Sequence, residues 1–595
     1  LPNLNVQFQG QTLIVPGAYY VDDVSAALVP SPALVPPLVW LAFSYGGQPN
    51  VPVTFTDPNA LLTFLRGAPA SDMVPFIFNP SGDLNGASQV TVIPVGTNTQ
   101  GTYSYLNGSG VPVLTVNTAA YGLPSNLMQT SVVAGSRAGV EVTLYDGYTG
   151  NSVYADNLGG PFQIAYAGSA TGVTFTVTQV AGMATVLATS GAPAGQNVTI
   201  TLGGAGYSTV TEVVEYLNGT GFYAAQVLNG GPSYSHGDLP SNLLDAATTI
   251  PLPAMNASGN VMINVHATLT DLQYWMQNSD AQKLVVSPTL LVNSATTNFP
   301  AAIPLTHFSG GTNVPPTLGN YATALNVALS VPAWVVIADQ NVVGLPSLLA
   351  QHAETASSIP YRSWRRAVSG SNIGDSINSA VAMAQSLNAI QMSYCYPGIY
   401  RNNQTSGANT LYGGYYVAAA VAGIMAGNPV MTPLTFKTLT GNGTEVALTI
   451  PNIDMLQQGG VMPLGTMGNT NVPQIVSDLT TWQNDSNPEN VFNQQVAGRQ
   501  YLGYVMVAAL QPYTGTIESS FGIANQKKAA QAALNGQLVT PTSSQGVLNS
   551  WNNSSLVLTY TGSQQLTSVT FQATFVGQNR FTLITCFVQP LNLSA

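Results

Sequence analysis

Apolar and polar positions change rhythm twice along this 595-residue chain. Within Ser31 to Phe43 an apolar run reads as a strand, and Asp57-Pro58-Asn59 supplies side chains that cap free N–H groups, predicting a short helix from Asn59 to Arg66. Gly86 to Val95 returns to a strand pattern, so residues 16–95 read as one half of an α/β domain. From about residue 96 to 302, Gly, Thr, Ser and Asn punctuate short β-rich runs such as Gly172 to Thr178, Met183 to Ala188 and Asn197 to Leu202. Their alternation fits half-buried antiparallel strands, with one helix at Thr209 to Leu217. A second break near residues 247–260 marks the start of a further unit.

At residue 303 the α/β rhythm resumes. Ala333 to Ala338 is an uninterrupted apolar strand, and Leu345 to Ser357 is a helix with Pro346 in its first turn, where a missing N–H costs nothing. Tyr415 to Ala426 and Ala497 to Leu510 are apolar enough for buried helices, and Ser519 to Leu534 reads as an amphipathic helix. Strands at Ser555 to Tyr560 and Leu566 to Phe575 precede a last β-rich arm at Phe581 to Val588. At the other end, residues 1–15 set Val6, Phe8, Leu13 and Val15 among Gln, Asn and Gly, an extended segment with no partner close in sequence. Such a strand needs a sheet edge elsewhere.

Charge sharpens this picture. Only 6% of the residues are Asp, Glu, Lys or Arg, against roughly 25% in ordinary soluble proteins. A surface with so little self-repulsion suits a subunit that lives in an assembly or in a harsh medium. The net charge of −11 is uneven, with 3 basic and 16 acidic side chains in residues 1–361 but 9 and 7 in residues 362–595. No basic footprint is long enough for counterion release from a nucleic acid, so direct nucleic-acid binding is not expected. The two cysteines, Cys395 and Cys586, exclude a disulfide framework and read as buried free thiols. No signal-peptide pattern opens the chain, and the run Tyr415 to Ala426 is shorter than the about 20 residues that span a bilayer, so membrane insertion is not expected.

The motifs of phosphate loops, nucleophile elbows and zinc proteases are absent. His236, His266, His307 and His352 lie far apart and read as structural residues. Asp22 and Asp23 are adjacent, and adjacent residues on a strand point to opposite faces, so they read as a polar turn. Neither a catalytic constellation nor a cofactor is expected.

One ordered series of short motifs remains. Pro16-Gly17-Ala18-Tyr19-Tyr20-Val21-Asp22-Asp23 follows the N-terminal segment, and Asn50-Val51-Pro52-Val53 comes next. Far downstream come Ile303-Pro304-Leu305-Thr306-His307-Phe308-Ser309-Gly310-Gly311-Thr312, then Asn320-Tyr321-Ala322-Thr323-Ala324-Leu325. Met392 to Tyr400, Pro433 to Lys437 and Val472 to Trp482 keep the same order. Each motif is weak alone, but the series resembles the contractile tail sheath proteins of bacteriophages, over residues 16–95 and 303–588 and more loosely between. Gly221 to Ala225 and Leu239 to Asp245 are similar to pieces of an accessory domain in the larger members.

The resemblance implies an α/β inner domain built from both chain ends, with inserted β-rich (α+β) outer domains and extended terminal arms. The boundaries it suggests are an N-terminal arm at 1–15, a first inner part at 16–95, an outer domain at 96–246 and a second inserted unit at 247–302. The main inner part follows at 303–575 and a C-terminal arm at 576–595. It further implies a virion structural subunit, assembled in the host cytoplasm, that forms hexameric rings stacked helically around the tail tube. Contraction then drives the tube through the host envelope for genome ejection, with the tube, baseplate and tail terminator proteins as partners.

Candidate intersubunit residues are Val6, Phe8, Leu13 and Val15 in the first arm and Phe581, Leu583 and Phe587 in the last. Lys527 and Lys528 are implied to face the tube. The cluster Arg362, Arg365 and Arg366 reads either as a structural patch or as a contact surface for an acidic neighbour. Two other readings stay open at this point: the sheath of a phage-derived machine (a tailocin, injection particle or secretion system), and a secreted β-rich surface protein or adhesin.

Overall fold

The computed structural model describes residues 6–8, 11–13, 37–134, 140–158, 162–180, 183–202, 207–227, 249–251, 269–292, 300–358, 361–466, 471–516, 519–539, 546–562 and 565–577. They divide into two compact units, one drawn from 1–44, 49–96 and 315–595 and the other from 45–48 and 97–314.

The first unit is organised by an eight-stranded sheet. Its order is Pro473–Ile475, Met462–Thr466, Met392–Tyr396, Arg366–Gly370, Val335–Ala338, Leu38–Ala42, Val90–Pro94 and Val53–Phe55. The six inner strands run parallel and both edge strands are antiparallel. Parallel strands need both faces covered, and successive side chains on a strand point to opposite faces. Leu38, Trp40 and Ala42 accordingly join Val335, Ile337, Val90 and Val92 in one core, together with the helices Pro58–Leu65, Val74–Phe78 and Gly414–Gly427. Val39, Leu41, Ile93, Val336 and Ala338 face the other core, against the helices Leu318–Ala328 and Leu345–Ser357.

Local chemistry sets the element ends. Asp57 accepts from the N–H groups of Asn59 (3.0 Å) and Ala60 (3.2 Å), starting the helix at Pro58. The helix Gly414–Gly427 is apolar all round and therefore buried nearly all round. At Gly423 it comes so close to the helix Val74–Phe78 that an added Cβ would lie within 3.0 Å of the Ile77 carbonyl. The predicted strand Ser555 to Tyr560 is part of a longer one, Leu548–Thr561, paired with Leu566–Phe575.

The N-terminal segment differs from expectation. Val6–Phe8 pairs antiparallel with Gln11–Leu13 in the register Val6 to Leu13, so these six residues have a partner close in sequence. Val15, Phe581, Leu583 and Phe587 lie outside the described residues.

The second unit contains two hydrophobic cores. One gathers Tyr105, Leu114, Val132, Leu144, Leu272 and Trp275 with their neighbours. The other, from Ile164 to Tyr223, includes Phe175, Leu187, Ile200 and Leu217. The helix Val210–Gly219 opens with a capping box in which Thr209 and Glu212 satisfy each other's free N–H groups. Two boundaries need correction. Thr249–Pro251 pairs with Thr174–Val180 and Val285–Leu290 with Pro112–Tyr121, so the described part of 247–302 completes sheets begun upstream. Likewise Ile303–His307 pairs with Met128–Ala134, and the second unit runs to 314. Strands that pair across 70 residues or more leave no local mark of the sheet they join.

The Gly423 approach predicts that Gly423→Ala destabilises the chain by about 1–3 kcal/mol, the usual range for overpacking a tight core. Denaturant unfolding measures this, and a variant as stable as the parent contradicts the close approach of the two helices.

Candidate functional site

The arginines that gave the C-terminal third its cation excess are mostly internal. Arg365, Arg366, Arg401 and Arg499 are all buried, Arg365 completely. Arg365 donates to the carbonyls of Ala328 (2.9 Å) and Val331 (3.2 Å), to Ser363 Oγ (2.7 Å) and to His352 Nε2 (2.9 Å). It thus places a positive charge on carbonyls at and just beyond the C-terminal end of the helix Leu318–Ala328, where the helix dipole favours a cation. Burial lowers its pKa to about 10. His352, which accepts from this guanidinium, is pushed down to about 3 by burial and then by the Arg365 charge, so it is neutral.

Arg366 donates to Asn493 Oδ1 at 2.9 Å, tying the sheet to the helix Asn493–Leu510. Arg401 donates to the Asn79 carbonyl at 3.1 Å and lies 4.6 Å from the centre of the Phe76 ring, linking segments 322 positions apart. Of the cluster read either as a structural patch or as a contact surface, Arg365 and Arg366 direct donors to interior acceptors. Arg362 alone stays half-exposed, with Nη1 at 3.5 Å from Gln511 Oε1.

Two carboxylates are as deeply buried. Asp339 follows the strand Val335–Ala338 and accepts from the Phe43 N–H at 2.8 Å and from Tyr321 Oη–H at 2.7 Å. One side chain so ties the end of the strand Leu38–Ala42 to a helix nearly 300 positions away. Burial raises its pKa to about 6, against the lowering effect of these hydrogen bonds. Asp478 is likewise raised to about 6 by burial, with nearby Arg366 pulling the other way. Cys395 is a buried free thiol whose pKa burial pushes up, away from the reactive thiolate.

Among the described residues no three His, Cys, Asp or Glu side chains are placed to hold a metal ion, and no helix is long and apolar enough to cross a membrane. His307 is exposed, 3.1 Å from the Asn126 carbonyl and 3.2 Å from Gln129 Nε2. His236 and His266 lie outside the described residues.

What faces solvent on the first unit is different in kind. The helix Ser520–Asn535 buries Gln526, Ala530 and Leu534 and leaves Lys527 and Lys528 exposed. Phe521, 75% exposed, shares a helical stripe with Ala524 and Lys528 by its spacing of three and seven residues. Val343 and Ile450 are also exposed apolar side chains of this unit. The surface of this unit thus carries exposed apolar side chains beside exposed cations.

No family model matches the chain. Similarity to known proteins is nonetheless long. A tail sheath protein of Bacillus phage SP01 is 24% identical over 562 residues, covering 91% of this chain and 90% of that protein. A putative tail sheath protein of Enterococcus phage phiEF24C is 23% identical over 475 residues, covering 76% of each. The sheath tail protein of Listeria innocua has a similar structure, with a TM-score of 0.54 at 11% identity over 91% of this chain and 93% of that one. The fold is thus a mixed α/β fold of the sheath tail type. Over most of its length the chain is thus similar to phage tail sheath proteins.

Sequence reasoning missed Asp339 and Asp478, and read His352 only as a structural residue without its partner. Asp339 had a signal: a lone carboxylate at the end of an uninterrupted apolar strand, Ala333 to Ala338, sits where burial is expected. Asp478 and His352 had none, since their partners come from distant segments.

These groups set opposed pH dependences. Below its ordinary value of 6.5, His352 takes up a proton in the unfolded chain but not in the folded one until about pH 3, so its contribution to stability is lost as pH falls through that window. Asp339 and Asp478 bind protons more tightly when folded, so their contribution is full below 3.8 and lost as pH rises through about 6. His352→Gln removes only the first effect. The unfolding free energy of the parent relative to this variant should decrease as pH is lowered from 7 to 4, and a constant difference contradicts the buried neutral imidazole.

Proposed function

We propose that this chain is the structural subunit of a contractile phage tail sheath, polymerising as helically stacked hexameric rings around the tail tube. The observation that carries this reading is likeness to named tail sheath proteins along nine-tenths of both chains, together with a fold similar over the same extent. The work of contraction comes from stored conformational free energy: subunits exchange one set of packed interfaces for a more stable set, and rigid α/β units move as bodies. That contraction drives the tube through the host envelope and allows genome ejection. The subunit is assembled in the host cytoplasm and ends in the virion tail, with tube, baseplate and tail terminator proteins as neighbours.

The terminal segments link neighbours by strand addition, because backbone hydrogen bonds hold while side-chain interfaces slide. Val6, Phe8, Leu13 and Val15 belong to one such segment and Phe581, Leu583 and Phe587 to the other. The pairing of Val6–Phe8 with Gln11–Leu13 is compatible with this role, since a two-stranded hairpin still offers outer edges for pairing. Lys527 and Lys528 face the tube, and their exposure on a helix anchored by Ala530 and Leu534 supports that placement. A surface with few charges lets copies pack closely without repulsion.

Two variants separate these roles. Removing residues 1–15 should leave a folded protein that no longer forms tubes, whereas Lys527→Glu with Lys528→Glu should still form tubes alone but fail to assemble on the tail tube. Normal assembly by the shortened chain sinks the N-terminal link. Unchanged assembly on the tube by the charge-reversed protein sinks the tube-facing assignment.

A further inference from the structure

An asparagine followed by glycine is among the least durable steps in a polypeptide, because no side chain on the glycine obstructs the attack of its nitrogen on the asparagine carboxamide. Six such steps occur in this chain, at Asn85, Asn107, Asn218, Asn229, Asn442 and Asn535. Asn229 lies outside the described residues.

In four of the other five the side chain is held. Asn107 Oδ1 accepts from the N–H groups of Ser109 and Val111, each at 3.0 Å, which closes a turn. Asn218 is engaged at both ends by Ala225, donating from Nδ2 to its carbonyl at 2.9 Å and accepting at Oδ1 from its N–H at 2.8 Å. Asn442 Nδ2 donates to Asn402 Oδ1 at 2.7 Å and to Asn409 Oδ1 at 3.0 Å. Asn535 Oδ1 accepts from the Trp551 indole N–H at 3.0 Å, and the Gly536 N–H donates to the Ala532 carbonyl at 2.8 Å. A held carboxamide does not turn freely to present its carbon to the next nitrogen.

Asn85 differs. It is exposed in an irregular loop between the helix Val74–Phe78 and the strand Val90–Pro94, and its carboxamide makes no hydrogen bond among the described residues. Nor does the Gly86 N–H. Only the backbone of Asn85 is engaged: its N–H donates to Asn428 Oδ1 at 3.4 Å and its carbonyl accepts from Asn428 Nδ2 at 2.8 Å. Asn428 follows the buried helix Gly414–Gly427, and at Gly427 an added Cβ would lie within 3.0 Å of the Gly86 carbonyl. The loop therefore sits directly on the helix end.

We propose that Asn85 is the preferred site, among the described Asn-Gly steps, at which the folded chain converts asparagine to isoaspartate and aspartate. The Gly86 nitrogen gives its proton to solvent and attacks Asn85 Cγ, the Cγ–Nδ2 bond breaks, and ammonia leaves with a proton from solvent, closing a succinimide ring. Water then opens the ring at one of its two carbonyls. One opening gives aspartate; the other gives isoaspartate, whose main chain runs through the former side chain and is one methylene longer. That methylene enters just ahead of Ala87, whose N–H donates to the Ile77 carbonyl at 3.0 Å, so this bond and the Asn428 clamp cannot both keep their geometry.

Peptide mapping of the folded full-length chain tests this, after incubation at mildly alkaline pH, where the attacking nitrogen is more often deprotonated. The same chain in denaturant is the reference, since there no carboxamide is held and the five steps should convert at similar rates. In the folded chain isoaspartate at position 85 should accumulate several-fold faster than at 107, 218, 442 or 535. Equal conversion at all five positions of the folded chain overturns the proposal. So does faster conversion at any of the other four, and so does conversion at Asn85 in denaturant but not in the folded chain.

Discussion

The strand Leu38–Ala42 lies between Val335–Ala338 and Val90–Pro94, in register with both, and the first unit depends on that placement. A parallel strand cannot be reached by a tight turn, so its neighbour must arrive through a crossover. Here the crossover from Val90–Pro94 to Val335–Ala338 includes residues 97–314, nearly all of the second unit. Closing so long a loop carries an entropy cost that grows slowly with length, at (3/2)RT ln n. Burial of Trp40, Leu41, Val335 and Val336 on both faces, with the Asp339 bonds to Phe43 and Tyr321, offsets it. Because closure is insensitive to loop length, a large insertion between the two halves is tolerated by the sheet.

The same unit draws its sparse charge inward. Arg365 satisfies carbonyls near a helix end, Arg401 reaches the Asn79 carbonyl and the Phe76 ring, and Arg366 reaches Asn493 at the start of the helix Asn493–Leu510. Each fastens segments that are distant in sequence. Of the eight described cations in residues 362–595, Arg365, Arg366, Arg401 and Arg499 are buried, so half of those visible in composition lie in the interior. That shift matters for assembly: the exposed cations are few, and Lys527 and Lys528 stand on a helix fixed to the core.

Much of the first unit was legible because its elements carry local signals. Asp57 announced a helix start, Pro346 marked a first turn, and the all-apolar runs at Ala333 to Ala338 and Tyr415 to Ala426 could only be buried. The second unit was legible as strands but not as sheets. Nothing in Thr249–Pro251 or Ile303–His307 states which strand each will join, because register across long separations is decided by the assembled core. The Arg362, Arg365, Arg366 cluster stayed open between a structural patch and a contact surface for a related reason. Cation density was visible in sequence, while the carbonyls of Ala328 and Val331 that take up Arg365 were not.

A chain with so few charges and with the proposed role of a sheath subunit should show its function only in the polymer. Electron microscopy of the purified full-length chain tests that most directly. The account predicts wide hollow tubes with six-fold symmetry in end-on views, formed by the chain alone or on addition of tail tubes. A population that remains monomeric under both conditions would contradict it.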